Sequence, residues 1–218
     1  MHRVHRAPRL SFILLGGAIG VIGFLLVVNG LLYIMGGFDV AWRALRTFFV
    51  IRETIMLFIV VPALIVASLI LALELRGLAR IGAVGTLLAA VVIGGTSIIE
   101  ILLATRLIMY TFSLQSLLTS REAVRVLQVV IFATYLVFFG GIVLLIIGTL
   151  GLKLRAVVLS LLSILAVLTP VLALMLRLMI SGEAGIRVQG ASMVLSGFIV
   201  IAVAVGVASI GLHGDTGE

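Results

Sequence analysis

The feature that most constrains this chain is its succession of long apolar runs, each of them sufficient to cross a lipid bilayer. They fall at about 10–38, 54–75, 81–105, 126–151, 156–176 and 188–212. A hydrocarbon core is about 30 Å thick and a helix rises about 1.5 Å per residue, so about 20 residues span it. The runs are continuous, as in VVIGGTSIIEILLAT and IVLLIIGTLGL, without the polar–apolar alternation of a membrane barrel. In lipid a helix satisfies its own backbone hydrogen bonds, so each run reads as a helix. Composition agrees: 63% of residues are hydrophobic and 11% charged, against about 45–50% and about 25% in soluble domains. The sequence therefore predicts an all-α integral membrane protein, a bundle of six transmembrane helices with short interfacial helices. One domain covers 10–212, between a basic tail (1–9) and a polar tail (213–218).

The basic start resembles a signal peptide. However, the first run far exceeds a signal's apolar region of about 7–15 residues and offers no small-residue cleavage site, so it reads as a retained span. Asp39–Glu53 (DVAWRALRTFFVIRE) brings Trp42, Leu45, Phe48 and Phe49 to helical spacing. That pattern predicts a short interfacial helix, with Trp42, Arg43 and Arg46 as its anchors. Tyr110–Glu122 is a second amphipathic connection, while Arg76–Arg80, Lys153–Arg155 and Ser181–Arg187 are tighter basic turns. Basic residues divide almost evenly between the two faces, so the positive-inside rule decides little. The arginines before the first span favour both termini in the cytoplasm.

Arg52-Glu53 before the second span has a counterpart in Arg121-Glu122 before the fourth, and Leu73–Arg76 one in Leu152–Arg155. Two readings stand: a parallel repeat of helical hairpins, or the general habit of spans to carry Arg at their ends and Leu within.

Several chemistries are excluded. The chain has no cysteine, hence no disulfide, thiolate metal site, Fe–S cluster or Cys nucleophile. His2, His5 and His213 lie at the ends, so no span supplies an axial haem ligand or a catalytic Ser–His pair. Nucleotide-binding and zinc-protease motifs are missing. No catalytic group, cofactor or metal is expected. The net charge of +7 comes from arginines that end apolar runs, where they meet lipid phosphates rather than nucleic acid.

Glu100 is the most unusual side chain. A carboxylate at the centre of a span costs on the order of 2.5–3.5 kcal/mol to insert, so it must face protein or water. Thr96 and Ser97, at i−4 and i−3, share its face. These residues form either a proton or cation site, or an interhelical ion pair in which Arg177 is the favoured cation over Arg106. Asn29/Tyr33, Gln128/Tyr135, Ser160 and Ser163 read as interhelical glue, and Pro170 as a kink. Gly16/Gly20, Gly85/Ala89 and Ala202/Gly206 read as packing pairs, and Gly94-Gly95 and Gly140-Gly141 as packing sites or helix breaks.

The expectation for function is a non-catalytic subunit or scaffold of a larger membrane complex. Its partners would be the bilayer and other membrane subunits, or further copies of itself. The alternative is a small channel or transporter for an ion or small apolar solute, with Glu100 in the pathway. The Arg-over-Lys bias and aliphatic richness point to the cell membrane of a prokaryote.

Overall fold

Six apolar runs become six helices, and the turns at Gly77 and Gly151 are so short that the helices they join must be antiparallel neighbours. The computed structural model describes residues 6–35, 47–104, 121–180 and 182–212. The helices are α1 (Arg6–Met35), α2 (Thr47–Glu74), α3 (Gly77–Ala104), α4 (Arg121–Leu150), α5 (Leu154–Met179) and α6 (Glu183–Leu212). No strand occurs among the described residues. Five of the helices, all but α5, are long and apolar enough to cross a membrane. In α5 the described apolar stretch is the shorter Leu154–Thr169, and the helix continues through Pro170.

Each helix packs against its neighbours in the chain, and α6 returns to pack most extensively on α1, closing a six-membered ring. Two contacts in the ring bring backbones together. Along α1 and α6, which run antiparallel, small residues recur in steps of seven: Gly30 faces Gly190, Gly23 faces Gly197 and Gly16 faces Ala204. A Cβ on Gly197 would lie 2.7 Å from the Gly23 carbonyl oxygen, so only glycine permits this approach. On the opposite side of the ring, Gly141 of α4 meets the Gly82 carbonyl and Thr86 of α3, and Gly148 meets Ala79. Gly94-Gly95 and Gly140-Gly141 lie in continuous helix, one of each pair in contact and the other open, so they do not break α3 or α4. Gly77 (φ 60°) and Gly151 (φ 66°) turn the chain in the left-handed region that other residues resist.

Helix ends differ from the sequence expectation chiefly at α2. Thr47–Glu53, expected in a surface helix, forms the first turns of α2, with Phe48 packed on the core. The apolar stretch FFVI ahead of Arg52 has a hydrophobic surface to bury on, so helix propagates through the charged pair. Residues 36–46, with the anchors Trp42, Arg43 and Arg46, lie outside the described residues, as do Arg106 and 105–120 of the second connection.

α2 is interrupted once, by a π-helical turn over Met56–Val60, where the Val61 N–H donates to the Met56 carbonyl. Pro62 follows directly. Its ring lacks an N–H and clashes with the carbonyl four residues back, and widening the preceding turn relieves that conflict.

Candidate functional site

Glu100 sits near the C-terminal end of α3, level with the N-terminal turns of α2 and α4 and with the C-terminal part of α1. Arg52 and Glu53 of α2 reach it there. The Arg52 Nε donates to Glu53 Oε1 at 2.6 Å, and Nη2 lies 2.5 Å from the same oxygen. Arg52 Nη2 also donates to Glu100 Oε2, at a longer 3.4 Å. The guanidinium carbon stacks 4.6 Å from the centre of the Phe49 ring, a cation–π contact that covers its face. The Glu53 side chain is 5% exposed, and those of Arg52 and Glu100 are 22% and 20% exposed.

These three charges line a cavity of about 240 Å³ inside the ring. Its wall is completed by Asn29 of α1, Thr96 and Ser97 of α3, Thr134 and Tyr135 of α4 and Met193 of α6. Thr96 and Thr134 donate to carbonyls of their own helices, Ile93 at 2.9 Å and Val130 at 2.7 Å. Their hydroxyl oxygens therefore keep acceptor capacity towards the cavity. The Asn29 amide donates to the Met193 sulfur at 3.7 Å, a weak bond that ties α1 to α6 across the wall.

A second lobe of about 490 Å³ adjoins it among α4, α5 and α6. The two lobes share Ile22, Leu26, Ile131, Tyr135 and Met193 as walls. The second is lined mainly by Phe132, Phe139, Val167, Val171 and Val200. Tyr135 stacks on Phe139 with centroids 6.5 Å apart, and Phe139 meets Phe138 edge-on at 5.3 Å. Gln189 contributes one polar atom, an Oε1 that is buried and finds no hydrogen-bond donor among the described residues. Both lobes lie towards the end of the bundle opposite Gly77 and Gly151, where Gln189 and Met193 begin α6.

The polar stripe of Glu100, Thr96 and Ser97 is thus gathered on one wall, and Ser97 is 2% exposed. The cation beside Glu100 is Arg52. Arg177 belongs to α5, but its side chain lies outside the described residues, as does that of Gln128. Sequence reasoning took Arg52 and Glu53 as markers of a helix start. The available signal was their setting: in FFVIRETIMLF a charged pair has apolar residues on both sides, and within an apolar run such a pair must turn inward. Among the described residues, no group of three or more His, Cys, Asp or Glu is placed to hold a metal.

Chemically, the site offers two carboxylates against one guanidinium, acceptor hydroxyls, an aromatic face and an adjoining apolar chamber. It holds no nucleophile–base pair among the described residues. Compared with known proteins, the chain matches no family model, no curated protein and no solved structure.

Proposed function

We propose that the chain is a multi-pass membrane protein of the cell membrane, and that a small solute passes through the centre of its six-helix ring by way of the Arg52–Glu53–Glu100 site. The single observation that carries this reading is the convergence of three charged side chains from two helices on one cavity inside the ring. A charge held inside an apolar bundle costs free energy at that position, and ligand pathways are where membrane proteins retain it. The exterior suits lipid: Leu69 and Leu73 of α2, Leu88 of α3 and Leu161 of α5 point outward. α5 completes the ring and is read as the sixth span. With six spans both termini share a face, taken as cytoplasmic.

The same outward-facing side chains support a second reading, a non-catalytic subunit whose ring packs against other membrane helices. The two readings differ at the cavity, which a scaffold has no need to open to water.

Because the chain has no cysteine, single thiols test this directly. Thr96→Cys and Thr134→Cys are placed in the polar lobe, and Leu152→Cys and Glu183→Cys mark the two ends of the bundle. Each is treated with a membrane-impermeant thiol reagent from either face of sealed vesicles. The markers are expected to react from opposite faces and the cavity thiols from both. Cavity thiols that react from neither face, or from one alone, overturn passage through the ring.

A further inference from the structure

We infer that the solute is an amphipathic organic monocation, its ammonium group held by Glu100 and its apolar tail lying in the lobe beside Phe132 and Phe139. This deepens the reading of the cavity as a pathway and rests on it.

In the described part of the cluster two carboxyl groups face one guanidinium. The three groups are not equivalent. Glu53 accepts both Nε and Nη2 of Arg52 on one oxygen, at 2.6 and 2.5 Å, and is almost wholly enclosed. Glu100 keeps a longer 3.4 Å contact with Arg52 and a side-chain hydrogen bond with Glu53, and is the more exposed of the two carboxylates. The charge of Arg52 is met by two carboxylates, and the Phe49 ring lies against its plane. Glu100 is the member of the cluster free to exchange its partner, and a cation is the partner it accepts.

The shape of the cavity sets the rest of the ligand. A metal ion or a proton would leave a chamber of about 490 Å³ with nothing to do. An organic cation with an aliphatic or aryl tail fills it, and the combined lobes fall in the range of pockets for small organic molecules. Tyr135 belongs to both lobes, so its ring lies where a cation–π contact can follow the ammonium group as it approaches Glu100.

The test uses three probes of one shape and different charge: 4-phenylbutylammonium, 4-phenylbutanol and 4-phenylbutyrate. Binding to the purified full chain in detergent is measured by calorimetry. The amine is expected to bind about 10- to 100-fold more tightly than the alcohol, the range a charge-assisted bond supplies, and the acid more weakly than either. Glu100→Gln should bring the amine down to the level of the alcohol. If that variant does not fold, the ranking of the three probes on the unaltered chain carries the test. Equal binding of amine and alcohol, preference for the acid, or no binding by any probe overturns the assignment. Thiol accessibility separates the two failures. A cavity open to both faces with no preference for the amine removes the ligand class alone, whereas a closed cavity removes the pathway itself.

Discussion

Replacing Gly197 by alanine should loosen the ring at one of its close backbone contacts, and the cost follows from the geometry. The added Cβ would stand 2.7 Å from the Gly23 carbonyl oxygen, 2.9 Å from the Val27 nitrogen and 2.6 Å from a Val27 methyl. A carbon–oxygen contact is comfortable from about 3.3 Å, so the shortfall is about 0.6 Å. Two of the three neighbours are backbone atoms, which no rotamer change can move, so α1 and α6 must part over several turns. Overpacking of this kind costs about 1–3 kcal/mol. For a chain of this size a loss of about 2 kcal/mol lowers the midpoint of thermal unfolding by roughly 4–8 °C. The assay is thermal unfolding of the purified protein in detergent, with Gly17→Ala as the control. Gly17 lies on the partner helix α1, and a Cβ there would meet nothing within 4 Å, so the control registers only the helix preference of alanine, a gain of up to about 1 kcal/mol. The double variant Gly23→Ala/Gly197→Ala should lose less than the sum of its parts, because one separation of the helices relieves both clashes. Unfolding of Gly197→Ala at the same temperature as Gly17→Ala would refute the close approach on which the ring depends.

Two further outcomes follow from the cluster and the core. Glu53→Gln should destabilise by about 3 kcal/mol, because it strips Arg52 of its closest partner in an enclosed position, and Glu100→Gln by clearly less; the same unfolding assay checks the order. Equal or reversed losses would refute the division into an anchoring and an exchangeable carboxylate. Ser68→Ala should leave stability unchanged or raise it by up to about 1 kcal/mol, since the Ser68 hydroxyl is buried without a partner among the described residues. A loss above about 1 kcal/mol would reveal a bond to that hydroxyl.

Helix number and type were legible because an apolar run in a lipid-like setting has one way to satisfy its backbone. Glu100 was legible for the complementary reason, as a charge that an apolar run does not tolerate without cause. Arg52 and Glu53 were not recognised as its partners, because charges near a helix end and charges inside a helix look alike until the start of the helix is known. That the Arg52–Glu53 pair lies within α2 depends on Phe48 ahead of it finding the core, a tertiary fact. The glycines tell a similar story. Gly16/Gly20 reads locally as a packing pair, yet a Cβ on Gly20 would meet only Ala204, at an ordinary 3.6 Å. The operative spacing is Gly16, Gly23 and Gly30 against Gly190, Gly197 and Ala204. A seven-residue period on two segments at opposite ends of the chain gains meaning only once they are known to pair antiparallel.

Backbones meet between α6 and α1 and between α3 and α4, on opposite sides of the ring, leaving α1–α3 and α4–α6 as two halves of three helices each. An odd number of helices per half means that α1 and α4 start from opposite faces, so the halves are inverted with respect to one another, whereas the α2–α3 and α4–α5 hairpins start from one face. The charged cluster belongs to the first half, through α2 and α3, and most of the apolar lobe to the second, through α4, α5 and α6. A ligand spanning both lobes would therefore bridge the two halves. Its ammonium group would be held by one half and its tail by the other, and any rocking of the halves along the glycine contacts would be felt first at the bound molecule. On the proposed reading, that coupling of binding to relative motion is what passage through the ring would require, and inverted halves meeting at a central site are a recurrent way of meeting it.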